Sequence, residues 1–210
     1  MVLALVTLVL PGVPQASETL KILVLGDSLS AGYGLLRADA FPSQLERALI
    51  EDGVDVKVVN AGVSGDTSAG GLSRLDWALS EGVDMVIIEL GANDGLRGLE
   101  PAETIKNLDG ILTILRKRGL AVLLTGMQAP PNLGAEYARE FAAIYPRLAE
   151  KFNVTLYPFF LDGVAAIPEL NQEDTIHPNV KGVRVVVGGI LPYVKRTLQG
   201  IYAKGQEGKQ

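Results

Sequence analysis

Two hydrophobic patterns take turns along the chain. Short, mainly apolar runs occupy Lys21–Gly26, Val54–Asn60, Val83–Leu90, Leu120–Gly126 and Val154–Pro158. Runs of this length, rich in Val, Ile and Leu, predict strands buried on both faces of a parallel sheet. Between them, Phe41–Glu51, Thr67–Ser80, Pro101–Arg118, Ala135–Phe152 and Val180–Leu198 read as helices. In Pro101–Arg118, Ile105, Leu108, Leu112 and Leu115 form one apolar stripe at three- and four-residue spacing. Pro101 suits its first turn, Arg116, Lys117 and Arg118 suit the negative end of its dipole, and Gly119 suits its close. Five strands alternating with helices predict an α/β sandwich with a mainly parallel sheet. No internal repeat or low-complexity linker divides it, so one domain is expected over 17–202, with a flexible polar tail at 203–210.

The first residues follow another pattern. Met1–Ser17 carries no charged side chain, and Met1–Leu10 is apolar except for Thr7. Pro11, Gly12 and Pro14 break that run, and Ala16 offers a small residue for cleavage. Residues 1–16 therefore read as a secretory signal, too short to span a bilayer, although no basic n-region precedes the apolar run.

Composition narrows the chemistry. The 210 residues contain no cysteine and one histidine. Disulfides, thiol nucleophiles, Fe–S clusters and metal sites built on several histidines are thereby excluded. A net charge of −5 and a pI near 5.0 argue against a nucleic-acid partner. Gly26–Gly34 matches neither the phosphate-binding loop with its lysine nor the dinucleotide fingerprint, so no cofactor and no metal are expected. What remains for chemistry is Ser, Asp, Glu, Asn and His177.

Loops rich in Gly, Ser, Asn and Asp follow four predicted strands, at Gly26–Gly34, Asn60–Gly71, Gly91–Gly98 and Gly126–Gly134. That edge of an open α/β sheet is where ligands bind. Ser28 stands just past the first strand, either as a nucleophile or as an ordinary helix cap. His177 is the only imidazole available as its base, and Asp174, three residues earlier, is close enough to orient the ring. Taken alone, that pair could equally be a surface histidine beside a turn. The Ser28 amide, the Gly62 amide and the Asn93 side chain could stabilise a developing oxyanion, or the last two could serve turn geometry. Asp27 is expected to make structural hydrogen bonds around Ser28, Asp66 to cap the helix starting near Thr67, and Trp77 to join Leu72 and Leu75 in the core, with the lining of an acyl groove as the alternative.

These blocks, in this order, resemble the SGNH (GDSL) hydrolase superfamily. GDSLS carries Ser28, NAGVSGDTSAGG carries Gly62, GANDGLRG carries Asn93, and DTIHPN carries Asp174 and His177. The fuller strings GDSLSAGYG, GANDGLRG, PPNLG and IHPN are similar to the bacterial branch of multifunctional acyl-CoA thioesterases, lysophospholipases and arylesterases. The resemblance implies a three-layer α/β/α, flavodoxin-like fold with sheet order 2-1-3-4-5. It also implies a Ser28–His177–Asp174 triad and an oxyanion hole from Ser28, Gly62 and Asn93. The expected activity is hydrolysis of carboxylic esters and thioesters through an acyl-enzyme, in the periplasm or secreted. The expected partner is a small acyl ester or thioester, met by a monomer whose mature domain does not insert in the membrane. The alternative is a non-catalytic module of the same fold that binds a small ligand or lipid at the rim. A passive binder has no use for all of these groups together. With one imidazole, activity is expected to rise with pH through a single ionisation.

Overall fold

The structure, a computed structural model, describes residues 19–80 and 82–207; the expected signal at 1–16 lies outside them. Its strands are β1 (Leu20–Gly26), β2 (Val56–Gly62), β3 (Met85–Glu89), β4 (Ala121–Thr125) and β5 (Thr155–Tyr157). All pairings are parallel, and the order across the sheet is β2-β1-β3-β4-β5. That is the order the resemblance implied.

Every residue of β3 is buried, as are the last five of β1, so helices must cover both faces. Helix α1 (Ser28–Ala31) follows β1, and α2 (Phe41–Glu51) leads to β2. Helices α3 (Ser68–Ser73) and α4 (Leu75–Ala78) connect β2 to β3, and α5 (Ala92–Leu96) and α6 (Pro101–Lys117) lead on to β4. Helices α7 (Ala135–Ala142) and α8 (Ile144–Phe152) precede β5, and α9 (Val180–Glu207) closes the fold. Helix α2 packs on β2 and α9, while α6 packs on α3, α8 and β4. Ile22–Leu25 of β1 and Met85–Ile88 of β3 form the centre of one continuous core.

Two predicted helices are each broken in two. The 67–80 stretch is interrupted at Arg74, whose side chain turns back to the end of β1. The 135–152 stretch breaks at Ala143, three residues before Pro146, which lacks an N–H and crowds the preceding turn. The last helix runs on past Leu198 to Glu207, with Pro192 inside it. The expected tail therefore begins as helix, and 208–210 lie outside the described residues.

Trp77 requires a correction. It is 74% exposed rather than part of the core, whereas Leu75 is fully buried and Leu79 nearly so. On this single turn Leu75 and Leu79 share the inner face, and a residue midway between them points outward. Its neighbour Asp76 pairs with Arg118 at the far end of α6, so Trp77 also lies away from the rim.

Candidate active site

The chain passes from β2 to β3 across β1, which makes β1 and β3 the strands where the sheet changes direction. A crevice opens beyond their carboxyl ends at such a switch point. Ser28 follows β1 and Asn93 follows β3, so the two face each other across it.

Gly26 ends β1 where a Cβ would fall 2.4 Å from Ser30 Oγ and 2.5 Å from Glu89 Oε2. Asp27, not Ser28, caps α1, its Oδ1 accepting from the Leu29 amide at 2.9 Å. Ser28 is thus the first helical residue, and its own amide has no partner within the helix. Its hydroxyl lies 2.9 Å from His177 Nε2.

His177 stands on the loop before α9. Its Nδ1 is 2.7 Å from Asp174 Oδ2, while Asp174 Oδ1 accepts the amides of Ile176 and His177, both at 3.0 Å. The His177 amide, together with the ring and the Ile176 amide, holds the Asp174 carboxyl at about 2, against a weaker upward push from burial. Thr175 closes this turn at φ 61°, a left-handed conformation costly for a β-branched residue. Gln172 clamps the loop, its Nε2 donating to the Tyr33 and Pro178 carbonyls at 2.7 and 3.1 Å. The Tyr33 ring lies beside the imidazole, with centroids 4.5 Å apart.

On the other side of Ser28, the Asn93 amide donates to Asp27 Oδ2 at 3.0 Å and to the Asp66 carbonyl at 2.9 Å. The Gly62 amide donates to Asn60 Oδ1 at 2.9 Å. A Cβ on Gly62 would fall 2.3 Å from the Ala31 amide nitrogen, so this edge of β2 touches α1 directly. Asp66 does not cap α3 as expected. Thr67 is the cap, because its shorter side chain reaches the Gly70 amide, and Asp66 instead pairs with Arg74 Nε at 2.6 Å.

Beneath the site sit two buried carboxyls. Burial raises Asp27 to about 6, against hydrogen bonds from Leu29 and Asn93 and the charge of His177. Burial, reinforced by the Asp27 charge, raises Glu89 well above the usual carboxylate range. Asp94 is also buried; it accepts the Ser68 amide at 2.8 Å and hydroxyl at 2.5 Å and the Thr104 hydroxyl at 3.1 Å, which ties α5 to α3 and α6.

The structure therefore brings Ser28, Asp174, His177, Gly62 and Asn93 to one rim. Sequence reasoning passed over Tyr33, Gln172 and Glu89. Only Glu89 left a signal, an acid inside an otherwise apolar strand. A cleft of about 760 Å³ at the opposite edge of the sheet contains Arg116 and Arg196 but no serine or histidine. Among the described residues, no cluster of three or more His, Cys, Asp or Glu side chains could hold a metal ion. Nor is any described helix long and apolar enough to cross a membrane.

Residues 24–185 match the model of the GDSL-like lipase/acylhydrolase family, and the chain belongs to that family. An arylesterase of Vibrio mimicus is 47% identical over 165 residues, 78% of this chain and 82% of the relative. Thioesterase 1/protease 1/lysophospholipase L1 of Escherichia coli K12 is 45% identical over 168 residues, covering 79% of this chain and 78% of the relative. The crystal structure of AlinE4, an SGNH-hydrolase family esterase, superposes with a TM-score of 0.74 at 49% identity, covering 88% of this chain and 99% of that one.

Proposed function

We propose that the protein is a serine hydrolase of carboxylic esters and thioesters, with Ser28 as nucleophile, His177 as general base and Asp174 as its partner. The observation that carries this reading is the position of His177, 2.9 Å from the Ser28 hydroxyl and 2.7 Å from the Asp174 carboxylate. Ser28 Oγ attacks the acyl carbon as its proton passes to Nε2, and ionised Asp174 stabilises the resulting imidazolium. The carbonyl oxygen becomes an oxyanion that accepts from the Ser28 and Gly62 amides and Asn93 Nδ2. For Gly62 the oxyanion takes the place of Asn60 Oδ1 as acceptor. For Asn93 it takes the place of one of the two oxygens the amide now serves. Collapse breaks the bond to the alcohol or thiol, which leaves with the proton held by His177. Water then attacks the acyl-enzyme by the same path, giving the carboxylic acid and free Ser28.

The names of the relatives support thioesters, lysophospholipids and aryl esters as the substrate class. A fluorophosphonate should label Ser28 and block hydrolysis of a p-nitrophenyl ester, while Ser28→Ala should stay folded and inactive. Labelling at Ser30 or Ser64, or hydrolysis without labelling, overturns the assignment. We also infer export through residues 1–16. A chain expressed behind a basic n-region should be cleaved near Ala16 and recovered from the periplasm. Exported protein that retains Met1 refutes this.

A further inference from the structure

Glu89 is a fully buried acid at the end of the central strand β3, where its four neighbours Met85–Ile88 are all apolar. Apolar packing needs no carboxyl there, and burying one is costly unless it holds something. It holds the turn that carries Ser28. Glu89 Oε2 accepts the Asp27 amide at 3.2 Å and the Ser30 hydroxyl at 2.6 Å. These donors flank Ser28, one residue before it and two after. Gly26 leaves the space for this oxygen, since any Cβ there would displace it. Glu89 Oε1 has no hydrogen-bond partner among the described residues, so the acid's entire bonding in the fold goes to this turn.

Helix α1 has four residues, too few to hold its own shape without outside support. We propose that Glu89 is a positioning residue for the nucleophile: its Oε2 pins the backbone before Ser28 and the side chain after it, which sets the Ser28 hydroxyl against His177. The proposal rests on Ser28 as the nucleophile. Oε2 serves only as an acceptor here, and burial with the Asp27 charge pushes the carboxyl well above the usual carboxylate range. Glutamine, which supplies an oxygen at the same place, should therefore replace it.

The test compares purified wild type with Glu89→Leu, Glu89→Gln and Ser30→Ala. The readouts are kcat and KM on a p-nitrophenyl ester, the rate of fluorophosphonate labelling at Ser28 located by mass spectrometry, and Tm. Glu89→Leu should slow both kcat and labelling by about 10- to 100-fold, the cost of a displaced nucleophile, while KM holds. Glu89→Gln should return both rates to within about threefold of wild type, because the two hydrogen bonds are remade. A folded Glu89→Leu protein that labels at the wild-type rate overturns the proposal, as does Glu89→Gln slowed as far as Glu89→Leu. Should Glu89→Leu fail to fold, Ser30→Ala decides. It removes one donor and leaves the acid in place, so labelling should slow at constant KM. A lower Tm with an unchanged labelling rate would make Glu89 merely structural. Wild-type protein labelled elsewhere than Ser28 would overturn the nucleophile assignment itself, a result separate from any difference among the variants.

Discussion

Three hydrogen bonds converge on Asp174, and they hold its carboxyl at about 2. At any pH well above that value it is already ionised, so it adds no step to the pH–activity curve of a neutral-range assay. His177 must be neutral to take the serine proton. Asp174→Asn should cost up to about 10⁴ in kcat by removing the charge that steadies the imidazolium. Single-turnover acylation measures this directly, and near-normal acylation would refute the pairing. A depressed carboxyl also stabilises the fold above its ordinary range and loses that contribution as pH falls toward 2. The contribution is small here because Asp174 is solvent-exposed. In the proposed reaction Asn93 serves the oxyanion. Asn93→Ala should lower kcat by about 10²–10³ with little change in KM, and a matching loss of product affinity would place it in binding instead.

At the scale of elements, strands were the most legible part of the sequence because each is a short, mainly apolar run. Phe41–Glu51 also appears with the expected bounds. The breaks at Arg74 and Ala143 were hidden because helical spacing continues through them, and only the hydrogen bonds of Arg74 and the missing amide of Pro146 reveal them. The site was legible as four blocks, since each lies in a loop directly after a strand or before the last helix. Tyr33 and Gln172 were not legible, because their role comes from a contact between segments 139 residues apart. Trp77 went astray for a related reason. Its neighbours Leu75 and Leu79 fix the face of a one-turn helix, and the residue between them has no place inside. Trp77→Ala should therefore shift unfolding by no more than about 0.5 kcal/mol and leave hydrolysis unchanged. Leu75→Ala should cost about 2–5 kcal/mol. Urea midpoints check both, and a large loss at Trp77 would contradict its exposure.

For the whole molecule, the Asp27–Glu89 pair ties stability to pH. A carboxyl raised to about 6 in the folded state binds its proton more tightly than in the unfolded chain, where it titrates near 3.8. Its contribution is present in full below the lower value and fades as pH rises through the higher one. Asp27→Asn should therefore flatten the fall in Tm over that interval; an unchanged slope would remove Asp27 as its source. The chain's order of synthesis has a consequence of its own. Ser28 and His177 are 149 residues apart, so the proposed nucleophile is made early and its proposed base late. Until the ribosome has released the loop before α9, the emerging polypeptide carries a serine with no imidazole to activate it. On the proposed mechanism the half-made chain is harmless to the esters around it, and the first turnover marks the moment at which Ser28 and His177 have met.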